Sequence, residues 1–154
     1  MSIHRLYREQ FIATDTDTLW DFITSPLNLA IITPPDMGFI ITSPDADGKV
    51  YAGKMITYKV SPLMGIKMNW VTEITQVQHK SFFVDEQRRG PYALWHHEHH
   101  LEPVDGGVLM KDIVHYIIPG GPLGDILNRL FIRKKLNGIF EYRFHKMKEL
   151  FPGS

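Results

Sequence analysis

Pro119-Gly120-Gly121-Pro122-Leu123-Gly124-Asp125-Ile126-Leu127 is the stretch at which the periodicity of the chain changes. Before it, apolar residues alternate with polar ones at a period of two, from about residue 39 to Ile118. After it they fall at spacings of three and four: Leu123, Ile126, Leu127, Leu130, Phe131, Ile139, Phe140, Phe144, Met147 and Phe151. Alternation is the mark of strands, and three-and-four spacing of an amphipathic helix. Pro122 suits a helix first turn and Gly120-Gly121 the loop before it. The pattern predicts one helix from Leu123 to about Phe151, about 40 Å long at 1.5 Å per residue. Gly138 lies inside it and marks a bend or a close approach to the sheet.

Working back from this boundary gives the rest of the fold. Residues 3–12 read as a first strand. Thr14-Asp15-Thr16-Asp17 offers caps for a short helix carrying Leu19, Trp20, Phe22 and Ile23. Residues 27–33 make a second short helix, stopped by Pro34-Pro35. Strands follow at Phe39–Thr42 and around Ile56, Tyr58 and Val60. Others run through Trp70–Ile74, Phe83–Gln87, Trp95–Leu101 and Val108–Ile118. Asp45-Ala46-Asp47-Gly48 and Asp105-Gly106-Gly107 are turns of the preferred composition. Short connections favour an antiparallel meander. A sheet with one apolar face must cover it, and only the C-terminal helix is long enough. The expected fold is therefore α+β: a curved antiparallel sheet gripping a long C-terminal helix, in one domain spanning 1–154.

Four histidines fall within five residues in Trp95-His96-His97-Glu98-His99-His100-Leu101. On a strand, Trp95, His97, His99 and Leu101 share one face, and His96, Glu98 and His100 the other. The first set suits the wall of a pocket and the second suits water. The same parity puts Glu86 and Arg88 outward, and Gln87, Asp112 and Tyr116 on faces with Phe83, Met110 and Val114.

Bulk composition narrows the function. A length of 154 residues suits one domain, and 44% hydrophobic residues suffice for a core. Seventeen basic residues balance seventeen acidic ones, which argues against a general nucleic-acid binder. There is no cysteine, hence no disulfide framework and no thiolate nucleophile. The first residues lack the apolar core of a signal peptide, and no apolar run is long enough to span a bilayer, so the expected location is cytoplasmic. No dinucleotide glycine fingerprint, phosphate-binding loop, nucleophile elbow or zinc-protease motif is present.

Three segments together resemble a known superfamily. They are Phe83-x-Asp85-x-Gln87 with Gly90-Pro91-Tyr92, then Trp95-x-His97-x-His99-x-Leu101, then Met110-x-Asp112-x-Val114-x-Tyr116-x-x-Pro119-x-Gly121 with the helix after it. The chain is similar over nearly its whole length to the START-like, or Bet v 1-like, helix-grip proteins (the SRPBCC superfamily). Within it, the resemblance is to the bacterial group of polyketide cyclase/dehydrase and lipid-transport proteins. That group often carries an aromatic where Leu101 stands. The resemblance implies a cavity between sheet and helix that binds a lipid, an isoprenoid quinone or a polyketide-like molecule.

The expected ligand-binding residues are Tyr58, Trp70, Phe83, Gln87, Trp95, His97, His99, Asp112 and Tyr116. Apolar walls with a few polar groups are the usual make-up of a small-molecule site. The alternative is a cyclase/aromatase- or dehydratase-type enzyme, with His97, His99 and Asp112 in catalytic roles: an imidazole as base, Asp112 orienting it. A third reading keeps the polar residues as a self-satisfied buried network. His97, His99 and Asp112 also make a formal three-ligand set for zinc, iron or manganese. The resemblance is to a group not built around a metal, and neither metal nor cofactor is expected. Arg129, Arg133, Lys134, Lys135, Arg143, Lys146 and Lys148 read as a solvated helix face, or as a transient contact with an anionic membrane, without stable insertion. Pro62-Leu63-Met64-Gly65-Ile66 and the glycines at 120, 121 and 124 are candidates for a cavity rim, and Met37, Met55, Met64 and Met68 for an adaptable lining.

Overall fold

The structure is a computed structural model that describes residues 2–44, 48–61 and 65–154. The expected turn at residues 45–47 and the apolar tip at residues 62–64, Met64 included, lie outside the described residues.

Strand β1 (His4–Ile12) is followed by helix α1 (Thr16–Ile23), helix α2 (Pro26–Ile31) and a 3₁₀ turn, Pro35–Met37. Six strands come next: β2 (Ile40–Ile41), β3 (Met55–Val60), β4 (Met68–Gln78), β5 (Phe82–Arg89), β6 (Leu94–Val104) and β7 (Gly107–Ile117). The chain closes with α3 (Pro122–Leu127), a π-helical turn (Asn128–Ile132) and α4 (Arg133–Leu150), which run on as one long helical segment. This is the α+β, sheet-and-helix architecture the periodicity predicts.

Asp15 caps α1 by accepting the Thr18 N–H at 2.8 Å. Thr33 is left outside α2, ahead of the two prolines. The strand expected over Phe39–Thr42 shrinks to Ile40–Ile41. Gly106 takes φ 80° in the β6–β7 turn, which glycine adopts without strain. A side chain at Gly124 would meet the Pro119 carbonyl oxygen at 2.4 Å, so glycine is what lets α3 start hard against the end of β7.

The sheet is antiparallel throughout, in the order β1-β7-β6-β5-β4-β3-β2. From β2 to β7 it is the expected meander. The departure is β1, which pairs with β7 along its whole length, from His4↔Tyr116 to Ile12↔Val108. Register shifts in β4, at Val71/Thr72 and Ile74/Gln76, mark irregularities of the kind that bend a strand.

One core cluster packs α1 and Met147 of α4 against Ile12, Ile74, Phe83, Leu101 and Met110. A second packs Ile132, Leu136 and Phe140 against Leu6, Val114 and Tyr116. Two readings of the long helix are corrected here. Leu123, Ile126, Leu127, Leu130 and Phe131 face solvent rather than the sheet, because the buried side of this segment is formed by Gly124, Asn128 and Ile132. Gly138 makes no close approach: nothing lies within 4 Å of a side chain placed there. The helix departs from regularity ten residues earlier, at the π turn beginning with Asn128.

Candidate functional site

Strand register builds the centre of the site. His97 sits opposite Asp85 on β5, and His99 opposite both Phe83 on β5 and Asp112 on β7. Alternation turns all five side chains to the face that α4 covers, and Arg143 of α4 reaches the same cluster. His96, Glu98 and His100 take the other face and are partly exposed, as parity predicts. There His96 pairs with Glu86 at 2.8 Å and His100 with Glu98 at 2.9 Å.

The partners of the inner imidazoles are carboxylates, which only accept. His99 donates from Nε2 to Asp85 Oδ2 at 2.6 Å, and its Nδ1 lies 3.2 Å from Asp112 Oδ1. With a carboxylate facing each nitrogen, its charged form is favoured. Burial opposes that charge, but Asp112 and Asp85 outweigh burial and hold its pKa above the ordinary imidazole value. His97 donates from Nε2 to Asp112 Oδ1 at 2.8 Å, while its Nδ1 stands 3.6 Å from Asp85. Burial and the charge of His99 push the pKa of His97 below the ordinary imidazole value.

Both carboxyls are ionised. Burial works against Asp85, yet the His99 hydrogen bond and the charges of His97, His99 and Arg143 keep it below its usual range. Asp112 is held well below its usual value: burial is overcome by Arg143, whose Nη1 is 3.2 Å away, and by both histidines. Asp85 and Asp112 thus share one buried group with Arg143 and the two histidines, acids set against bases. Such balance is what makes burial of several charges tolerable.

Above this group lies a cavity of about 190 Å³. Tyr58, Trp70, Phe83, Trp95, His97 and His99 all line it, with Asp85 and Arg143 at the polar end and Ile132, Leu136 and Phe140 on the helix side. The aromatic wall is interlocked. Tyr58 stacks on Trp70 at 5.8 Å, Trp70 meets Trp95 edge-on at 5.5 Å, and Phe83 stacks on His99 at 4.2 Å. Tyr58 hydrogen-bonds Thr72 at 3.0 Å, and burial raises the pKa of its phenol. Of the methionines expected in the lining, Met37 is there and Met55 is exposed.

Three expected ligand contacts stand outside this lining. Asp112 lies behind the histidines and orients both. Gln87 grips the backbone of Tyr92, donating to its carbonyl at 2.7 Å and accepting its N–H at 3.1 Å, so it holds the turn that brings Tyr92 into the wall. Tyr116 is buried and donates to Asn128 Oδ1 at 3.0 Å. Two participants were not among the expected site residues. Asp85 shares the parity of Phe83 and Gln87, which was signal enough. Arg143 was read with the solvated basic face; it is buried, and its position three after Phe140 and four before Met147 puts it on the covered stripe.

Among the described residues, Asp85, His97 and His99 offer donor atoms within 4.8 Å of one another. A metal bound by two imidazoles lies near the plane of each ring, about 2.1 Å from each nitrogen. The His97 and His99 rings lie 3.7 Å apart with 33° between their planes. As arranged, the two imidazoles are hydrogen-bonded to Asp112 and Asp85.

Three solved structures share this architecture. Ara h 8.0201 superposes with a TM-score of 0.63 at 17% identity, over 96% of this chain and 99% of its own. Protein Ms6760 from Mycobacterium smegmatis gives 0.65 at 14%, over 97% and 98%. TTHA0849 from Thermus thermophilus gives 0.70 at 15%, over 98% and 100%. The chain has the Bet v 1-like helix-grip fold. No protein-family model and no curated protein matches the sequence. Within the helix-grip fold of this chain, the described residues include no helix long and apolar enough to cross a membrane.

Proposed function

We propose that this chain binds, and carries, a small hydrophobic or aromatic ligand in the cavity between sheet and helix. The observation that supports this most is the cavity itself: aromatic and aliphatic walls ending in the Asp85, His97 and His99 cluster. That is the make-up of a small-molecule site, and the fold is one that typically houses small hydrophobic ligands. An apolar cavity of about 150 Å³ accepts benzene, so this one suits a molecule of one or two rings, or the head of a longer one. An oxygen-bearing group on that ligand belongs at the polar end, where Arg143 and the two histidines supply donors and acceptors.

Native mass spectrometry of the untreated protein tests the reading, joined to thermal-shift screening of lipids, quinones and aromatic polyketides. A co-purified molecule, or a shift that saturates with ligand, is expected. At a hundredfold excess over Kd, binding adds about 2.7 kcal/mol to the fold. No co-purified molecule and no shift across the screen would remove the reading.

A second reading rests on two adjoining buried imidazoles whose pKa values are pushed in opposite directions. In a dehydratase or cyclase/aromatase, neutral His97 takes a proton from carbon beside a carbonyl. The electron pair left on carbon forms a carbon–carbon double bond as the C–O bond breaks, and His99 gives its proton to the leaving hydroxyl, which departs as water. His97→Ala and His99→Ala would then abolish turnover of an aromatic polyketide under conditions where circular dichroism shows each variant folded; unchanged turnover in both would sink it.

A further inference from the structure

Leu123, Ile126, Leu127, Leu130 and Phe131 fall at i, i+3, i+4, i+7 and i+8 on the segment that leads into α4, and all five are exposed, Leu123 at 63% and Leu130 and Phe131 each at 59%. Five large apolar side chains on one face exceed the scattered exposure that is normal on a protein surface. The segment is anchored: Asn128 is buried and takes the Tyr116 hydroxyl, and Ile132 packs into the core beneath it. The stripe is therefore presented by a fixed piece of structure.

The charges beside it have one sign. Arg129, Arg133 and Lys134 are exposed on the same segment. From residue 122 to residue 140 the sole acid is Asp125, and Ser2 and His4 already engage it. Net charge over the chain is zero, so this positive face is a local feature. A second copy docking on the stripe would bring Arg129, Arg133 and Lys134 against themselves. A surface that is apolar within and negative at its boundary matches both features at once, and an anionic bilayer is such a surface.

We propose that the face formed by Leu123, Ile126, Leu127, Leu130 and Phe131, with Arg129, Arg133 and Lys134, is a peripheral docking surface for an anionic lipid bilayer. Docking there sets the bilayer beside the cavity, because Ile132, Lys135 and Leu136 come next in the chain and line it. Lys135 also pairs with Asp36, in the turn after α2, at 2.8 Å, joining α4 to α2 at that edge. The proposal goes beyond cavity binding and stands or falls separately from it.

The test is co-sedimentation of the full chain with vesicles of phosphatidylcholine alone or mixed with phosphatidylglycerol. Binding is expected to the mixed vesicles and to weaken with added salt. Leu130→Ser with Phe131→Ser, and separately Arg129→Gln with Lys134→Gln, should each lower partitioning by about tenfold or more. Their melting temperatures should not change, since these side chains are exposed, and ligand uptake measured by native mass spectrometry should persist. Absence of binding to the mixed vesicles, or full binding by the double serine variant, overturns the proposal. So does a dimer in sedimentation velocity that the serine variant dissolves, which would assign the stripe to a second copy of the chain.

Discussion

Arg143 Nη1 lies 3.2 Å from Asp112 Oδ1, and this pair joins α4 to β7 through the interior. Both side chains are almost wholly shielded from water. Removing one member leaves the other charged, buried and short of its partner. Arg143→Met is therefore expected to lower stability by about 3 kcal/mol, read as a fall in the urea midpoint at constant slope. An unchanged midpoint would mean that the pair carries no structural role.

The two inner histidines should titrate on opposite sides of about 6.5, the ordinary imidazole value. NMR of the ring protons is the measurement. His99, raised in the fold, stabilises it fully below about 6.5, and that contribution fades as pH rises through its folded pKa. His97, lowered in the fold, withdraws stability as pH falls below about 6.5. Asp85 and Asp112, both depressed, stabilise fully above about 3.9 and lose that effect as pH falls through their folded values. Asp85→Asn should move His99 downward, with Asp112 still holding part of the rise. Equal pKa values for the two rings would contradict the assignment.

Gly138→Ala is expected to stabilise the protein. The glycine is exposed inside α4, with open space where a side chain would go. Alanine gains roughly 0.5–1 kcal/mol there, worth about 2–4 °C per kcal/mol in a chain of this size. A lower melting temperature would show that the helix needs flexibility at this point.

Tyr116→Phe should weaken the fold and spare the ligand. The variant strands Asn128 Oδ1 in the core, at a cost of about 1–3 kcal/mol. Because Tyr116 lies outside the cavity lining, affinity measured by thermal shift or fluorescence should be unchanged. A selective loss of affinity would return Tyr116 to the binding residues.

Metal content after purification without an affinity tag should be well below one ion per chain, because the imidazoles of His97 and His99 are hydrogen-bonded to Asp112 and Asp85 and lie against each other. A stoichiometric ion would require the two rings to rotate apart and would overturn that geometry.

Sequence periodicity carried most of the architecture, because strand alternation and the apolar spacing of the long helix are local properties. It also divided the four histidines correctly into inner and outer pairs. What it could not reach was pairing across distance. β1 reads like any other strand, and nothing local says that its partner is β7. The long helix carries two apolar stripes, one through Leu123, Ile126 and Leu130 and one through Ile132, Leu136 and Phe140. Spacing alone cannot say which the sheet will cover. The same ambiguity hid Arg143, a charge on the covered stripe that Asp112 neutralises from a strand some thirty residues away. Gln87 and Tyr116 were legible as inward residues, but their partners, the Tyr92 backbone and Asn128, take the contacts reserved in expectation for a ligand.

The β1–β7 pairing sets the order in which the molecule can be completed. His4 waits for Tyr116, about a hundred residues later. During synthesis β1 emerges well before β7 and stays without this partner until the last strand has left the ribosome. Contacts of such long separation slow folding and lengthen the time an edge is open to wrong partners. Arg5, Arg8, Glu9 and Gln10 put polar side chains on this strand, the composition that guards an open edge against wrong partners.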